Sequence, residues 1–348
     1  MAADIFLRDR KSKMTQQVIR PQRLIMLLTI SMLVIIVVLL VTIQNKSISK
    51  GDVLIASSNK DFVWHPPDIN KIPAGFEERL IKYGRDLIAN TSFYLGPKGT
   101  VAAITNGMNC QNCHLDAGTK YWGNNYSAVF STYPRFRERS GTVENIYKRL
   151  NDCFQRSLNA QAPLDTNSYE MQAMAAYINW VGHEVPKNIK PVGAAIKDLV
   201  FLERSANPTN GRTVYMVHCQ RCHGANGEGV LNGDGAGYLY PPLWGNNSYT
   251  TAAGLFRISR FAGYVKENMP FDAPHNARRL TEEEAWDVAA FVNSQPRPEK
   301  IFTNDYPNIA GKPVDHPFGP YADNFPESQH KYGPFGPIKR SQQPGNRQ

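Results

Sequence analysis

The sequence predicts a mainly α protein in which two tandem copies of one domain follow an N-terminal transmembrane helix. Three observations carry this. Residues 24–43 form an unbroken run of 20 uncharged, mostly aliphatic residues. A Cys-x-x-Cys-His segment occurs twice, and behind each copy the same two further signatures recur in the same order. Few stretches alternate with period two, whereas several follow helical spacing. Composition agrees: 42% of the 348 residues are hydrophobic and 20% charged, enough apolar surface to bury two cores. The net charge of +9 invites a nucleic-acid partner, but position removes it. Residues 1–50 hold 8 Lys/Arg against 2 Asp/Glu, and the other 298 residues carry only +3. No nucleic-acid partner is expected. Five cysteines are too few for a dense disulfide framework.

At ~1.5 Å per residue, a 20-residue helix spans ~30 Å, the thickness of a bilayer core. The apolar region of a cleaved signal peptide is shorter, ~7–15 residues, and ends at small residues. Here Gln44, Asn45 and Lys46 follow. Six Lys/Arg precede the run and only Lys46 and Lys50 follow closely, so the positive-inside rule leaves the N-terminus in the cytoplasm. Residues 1–23 then form a cytoplasmic basic segment, 24–43 the anchor and 44–74 a linker, with the rest of the chain outside.

The repeated motifs are Cys110-Gln111-Asn112-Cys113-His114 and Cys219-Gln220-Arg221-Cys222-His223. Two thiols about one helical turn apart can bond both vinyl groups of one porphyrin, and the following His can bind its iron, so C-x-x-C-H reads as c-type haem attachment. A redox Cys-x-x-Cys or a four-cysteine zinc site competes. The zinc site would leave both His idle. The redox motif does not explain a His at the same place twice. The expected cofactors are two covalently bound haem c groups, attached outside the cytoplasm. This makes the chain two tandem cytochrome c-type domains on the periplasmic side of a bacterial cytoplasmic membrane.

Trp122-Gly123-Asn124-Asn125 recurs as Trp244-Gly245-Asn246-Asn247, and Ala175-Ala176-Tyr177-Ile178-Asn179 as Ala289-Ala290-Phe291-Val292-Asn293. A repeat this long marks two copies of one domain rather than a solenoid. Each copy opens with a helix, over 76–89 and 211–218. Each closes with one, starting near Asn167 and near Thr281, where a Glu three residues on completes a capping box. The boundaries are 75–185 for the first domain, 186–208 for a linker, 209–295 for the second domain and 296–348 for a C-terminal extension. The extension holds ten prolines and reads as an extended tail lying on the domains, its last ten or so residues disordered.

The second axial position of each iron sets its chemistry. In the second half Met269, held extended before Pro270, can cross the distal face; Lys266 and His275 are substitutes. The first half has no Met at the matching place. That place is Gln155, and Cys153, left over once both haems are attached, lies two residues before it. Its bland alternative is a buried apolar thiol. A thiolate ligand would give the first haem the lower potential, making it catalytic and the second haem a relay. Around Cys153, Val143, Ile146, Tyr147, Leu150 and Phe154 follow helical spacing behind Thr142 as N-cap, and Arg149 and Arg156 flank the thiol. With Arg135, Arg137 and Arg139, residues 134–157 reach +3. The cluster is an anion site, a solvated face or a set of propionate partners.

The run Arg139-x9-Arg149-x3-Cys153-Phe154-x-Arg156-Ser157, with Asn268-Met269-Pro270 and both C-x-x-C-H motifs, resembles the thiosulfate dehydrogenase (tetrathionate synthase) family of dihaem cytochromes c. The tail is similar too, at Lys312-Pro313, at 317–323 and at Tyr332-Gly333-Pro334. The resemblance covers about residues 75–340. It implies His114 and Cys153 on the active-site haem, Arg139 and Arg149 on the substrate, and His223 on the second haem. There the distal ligand is Lys or Met, and Asn268 in place of Lys favours Met269. The implied reaction joins two thiosulfates into tetrathionate and releases two electrons, in either direction according to the haem potentials. Two dianions at ~5 Å repel by ~3 kcal/mol in water and ~13 kcal/mol at an effective dielectric of ~20, which placed guanidiniums offset. Cys153 is also a candidate nucleophile toward substrate sulfur. The expected acceptor is a soluble or membrane cytochrome c. A non-catalytic electron-transfer cytochrome, an oxidase-associated subunit or a different sulfur-oxidising cytochrome stays open.

Overall fold

The computed structural model describes residues 31–33, 35–36, 62–273 and 276–342. The chain divides into two compact units, Met1–Ser57 and Ser58–Gln348. In the first, the described residues are helical. The rest of the 24–43 run lies outside the described residues, and among those described no helix is long and apolar enough to cross a membrane.

The second unit contains α1 (Phe76–Ala89), α2 (Ile146–Arg156), α3 (Tyr169–Val181), α4 (Pro208–His218), α5 (Ile258–Asn268), α6 (Glu282–Ser294), α7 (Glu327–Tyr332) and α8 (Phe335–Ser341). Two small antiparallel hairpins join β1 (Arg135–Arg137) to β2 (Thr142–Glu144) and β3 (Val230–Leu231) to β4 (Tyr238–Tyr240).

In both halves the opening helix packs on the closing one, α1 on α3 and α4 on α6. The crossings use the same device. A Cβ at Gly84 would lie 2.0 Å from the Ala173 carbonyl oxygen, and one at Gly211 would lie 1.9 Å from that of Asp287. No side chain fits at either crossing. The same hypothetical Cβ atoms would meet the Cβ of Tyr177 and of Phe291, the aromatic residues of the repeated Ala-Ala motif. That repeat is therefore a packing motif. Ala173, Met174, Tyr177 and Ile178 enter the first core, and Ala289, Ala290 and Val292 enter the second.

Helix starts follow their caps. Helix α1 spans the expected residues. Helix α6 starts after Thr281, whose hydroxyl accepts from Glu284 N at 3.1 Å while the Glu284 carboxylate accepts from Thr281 N at 2.8 Å. Helix α3 is capped by Ser168 rather than Asn167. Helix α4 begins at Pro208, earlier than position 211, because Asn207 caps it with Pro at the first turn. Helix α2 is capped by Asn145, not Thr142: Asn145 Oδ1 accepts from Lys148 N at 2.9 Å. Thr142 instead pairs with Arg137 across the hairpin, where the β-branched Thr142-Val143 pair suits a strand.

The extension is not wholly extended. Helices α7 and α8 lie within it, and Phe335 and Ile338 are buried in the second core. Two apolar residues three apart in a seven-residue helix leave too short a pattern to read. Residues 339–341, within the stretch expected to be disordered, are helical, and 343–348 lie outside the described residues.

Candidate active site and haem-binding sites

The first Cys-x-x-Cys-His is fixed by local hydrogen bonds. Cys110 N donates to Thr91 Oγ1 at 3.0 Å, and Ser92 N donates to Asn109 Oδ1 at 2.8 Å. His114 Nδ1 donates to the Asn124 carbonyl at 2.6 Å, leaving Nε2 free to bind a metal. Burial depresses His114 to about 4, so the imidazole is neutral. Burial also pushes the Cys110 and Cys113 thiols up to about 12. Asn124 belongs to the Trp-Gly-Asn-Asn repeat, which gives the first copy of that motif a role.

Cys153 sits in the last turn of α2, half-buried, within electrostatic reach of Cys110, Cys113 and Arg149. The adjacent Cys153 holds Arg149 above its ordinary value despite burial. Among the described residues, no hydrogen bond or ion pair engages the guanidinium of Arg149 or of Arg139. Arg139 lines a cavity of about 1210 Å³ between the C-terminal tail and the second domain, together with Arg257, Lys312 and His316. Its carbonyl accepts from Tyr306 N at 2.7 Å. Arg137 feels both Arg149 and Arg139, and burial with these cations lowers its pKa; its nearest carboxylate is Glu144, at 4.0 Å.

Arg156 does not join this group. Its guanidinium forms a bidentate pair with Asp305 at 2.6 and 2.7 Å and lies 3.8 Å over the Phe302 ring. It ties the tail to α2. Helical spacing placed Arg156 beside Cys153 in sequence, but a partner 149 residues away takes the side chain.

The second site is a cavity of about 910 Å³ lined by Cys219, Cys222, His223 and Met269 among apolar, aromatic and polar residues. His223 Nδ1 donates to the Pro241 carbonyl at 2.8 Å, again leaving Nε2 free, and burial lowers its pKa. Met269 follows α5 in an extended conformation, half-buried against the second core. Lys266 turns away, its Nζ donating to Leu280 O at 2.6 Å, and it does not line the cavity. Asn268 is buried and donates to Trp122 O at 3.1 Å across the two halves. His275 lies outside the described residues.

The two sites share a wall. Gln111, Asn112 and Cys113 of the first motif line the second cavity. Cys113 packs against the second core, and Tyr264 Oη donates to Asn112 O at 2.8 Å. Sequence reasoning did not find Tyr264, Asp305 or the shared wall, because each depends on a contact between distant segments.

These residues fit covalent haem. The second cavity falls in the ~300–1,000 Å³ range of cofactor sites, and each motif offers two thiols and a neutral imidazole with Nε2 free. Among the described residues, no group of three or more His, Cys, Asp or Glu is placed to hold a metal ion as a cluster, which disfavours the zinc alternative.

Comparison with known proteins agrees. Residues 100–186 match the SoxA/TsdA cytochrome c domain family and residues 208–296 the cytochrome c family. The chain is 31% identical to thiosulfate dehydrogenase of Stutzerimonas stutzeri, over 72% of this chain and 83% of that protein. It is 36% identical to thiosulfate dehydrogenase of Allochromatium vinosum, over 65% of this chain and 82% of the relative. Among solved structures, the thiosulfate dehydrogenase TsdBA of Marichromatium purpuratum in its as-isolated form matches with a TM-score of 0.63 at 31% identity, over 68% of this chain. The chain spans 50% of the length of that solved chain. The protein thus carries two cytochrome c domains with two covalent haem c groups. From motif, geometry and these relatives together, the chain belongs to the thiosulfate dehydrogenase family of cytochrome c oxidoreductases.

Proposed function

We propose that the protein couples two thiosulfates into tetrathionate at the first haem site and passes the two electrons out through the second. One observation carries the assignment of the active site to the first half: Cys153 and the guanidinium of Arg149, unpaired among the described residues, lie on one helix beside the half-buried Cys110–His114 motif. The haems would supply one-electron acceptance, one electron each. His114 and Cys153 would hold the first iron; His223 and Met269 would hold the second. Arg149 and Arg139 would bind the sulfonate ends of the substrates, their forked donors offsetting the repulsion of paired dianions. A thiolate at Cys153 would stand beside the Arg149 guanidinium on the same helix. The shared wall at Asn112 and Cys113 supports transfer from the first site to the second.

The 24–43 run supports attachment to the cytoplasmic membrane, N-terminus inside and haem domains on the periplasmic side, with a soluble or membrane cytochrome c as acceptor. The haem potentials set the direction of the reaction. The test is turnover of the purified protein with thiosulfate and ferricyanide, and of the reduced protein with tetrathionate. Tetrathionate formation at two electrons per product is expected. Electron exchange with cytochromes but no thiosulfate turnover in either direction would instead make the chain a non-catalytic electron carrier.

A further inference from the structure

The two imidazoles held alike at Nδ1 are not held alike at the ring. The Tyr126 ring stacks on His114, with centroids 4.6 Å apart and planes 30° from parallel. Tyr126 is 7% exposed. It also packs on Gly118, where a Cβ would lie 2.1 Å from a Tyr126 ring carbon and the backbone φ is +84°. Glycine is needed there both for the backbone and for the ring. The loop carrying Tyr126 is clamped on both sides. Asn125 Nδ2 donates to Lys120 O at 2.9 Å and to Gly193 O at 2.7 Å, while its Oδ1 accepts from Ser127 Oγ at 2.7 Å. Tyr126 N donates to Gly118 O at 2.9 Å.

In the second half the position after Trp-Gly-Asn-Asn is Ser248, not an aromatic residue. Its hydroxyl donates to Gly245 O at 2.9 Å. The ring nearest His223 is Tyr240, 6.4 Å away at 65°, an edge contact. Among the described residues, His223 has no stacked partner. The loop from the attachment histidine to Trp-Gly-Asn-Asn also differs, residues 115–121 against 224–243, and in the first half alone a ring stacks on the histidine among the described residues.

A hydrogen bond at Nδ1 restrains where an axial imidazole points, but a ring stacked on its face also blocks rotation about the metal–Nε2 axis. We propose that Tyr126 is a positioning residue that locks the ring plane of His114 and thereby sets the ligand field and redox equilibrium of the first haem apart from the second. The proposal rests on the reading above that His114 is an axial ligand.

The experiment compares the full dihaem protein with Tyr126→Phe and Tyr126→Leu by electron paramagnetic resonance and spectropotentiometric titration. Tyr126→Phe keeps the stack and should preserve the first-haem g-values and midpoint. Tyr126→Leu should shift the first-haem g-values and change its redox equilibrium at least threefold, about 28 mV at 59 mV per decade for one electron. The second haem should stay unchanged in both. Unchanged first-haem values in Tyr126→Leu, or equal shifts in both haems, would overturn the proposal and make Tyr126 a packing residue. If Tyr126→Leu does not attach haem, paramagnetic nuclear magnetic resonance of the wild type decides. Hyperfine-shifted Tyr126 ring protons with Overhauser contacts to the His114 ring support the stack, and their absence overturns it. A wild type lacking a His-ligated first haem would sink the functional reading itself, a result distinct from the failure of Tyr126→Leu alone.

Discussion

The two haem-binding halves share a scaffold and differ at the distal side. Both cross their opening and closing helices at a glycine, and both direct a His Nδ1 onto a backbone carbonyl. In the second half the chain after α5 brings Met269, a neutral thioether, to the wall of the cavity that holds Cys219, Cys222 and His223. In the first half helix α2 carries Cys153 and, one turn before it, a guanidinium with no protein partner among the described residues. Cys153 holds that guanidinium above its ordinary value, and its forked donors stay open to an anion. The comparison teaches that the halves keep one helix scaffold and diverge in the segment between the attachment motif and the closing helix.

The largest way to break the contrast is to make the first half resemble the second. Cys153→Met should keep two haems and the fold, raise the first-haem potential, and lower turnover by at least ~100-fold, or ~2.7 kcal/mol in the barrier. Steady-state thiosulfate oxidation with a haem count checks this. Next, Arg149→Lys and Arg139→Lys keep the charge but lose the fork. Each should lose ~10–150-fold in kcat/KM, the equivalent of a charge-assisted contact worth ~1.5–3 kcal/mol, with the visible spectrum intact. Arg137→Lys should lose less, because Arg137 already faces Glu144 at 4.0 Å. Equal losses in all three would make the cluster a general electrostatic funnel.

A structural arginine should behave differently. Asp305→Asn breaks the bidentate pair with Arg156, whose side chain is 6% exposed. It should cost ~3 kcal/mol of stability, read from denaturant unfolding, with little change in KM. The smallest effect concerns pH and the tail. Burial depresses His316 to about 4, with Lys312, Arg139 and Arg257 facing it. Below its unfolded value of ~6.5 the unfolded chain takes up a proton that the folded tail refuses, so stability is lost as pH falls from there toward 4. Hydrogen exchange in residues 305–318 should therefore quicken at pH 5 relative to pH 7, once the intrinsic pH dependence is removed. His316→Gln should abolish that difference.

Much of this was legible because it was local or repeated. The attachment motifs, the opening helix over 76–89 and the Thr281 capping box needed only residues a few positions apart. What failed needed tertiary partners. Arg156 looked like a neighbour of Cys153 until Asp305 claimed it, and Thr142 looked like a helix cap until Arg137 drew it into a strand. Helix α8 was invisible because only Phe335 and Ile338 face its core. Tyr126 carried a signal that could have been read: it follows the first Trp-Gly-Asn-Asn where the second copy has Ser248.

The central claim is that the two irons differ in their distal ligand, with thiolate from Cys153 at the first and thioether from Met269 at the second. Electron paramagnetic resonance of the oxidised wild-type protein tests it most directly. The account predicts two low-spin signals of unequal anisotropy, one with the compressed g-values of His/thiolate ligation and one of His/Met type, the first vanishing in Cys153→Met. Two His/Met-type signals in the wild type, or a spectrum unchanged by Cys153→Met, would contradict it and make Cys153 a packing residue.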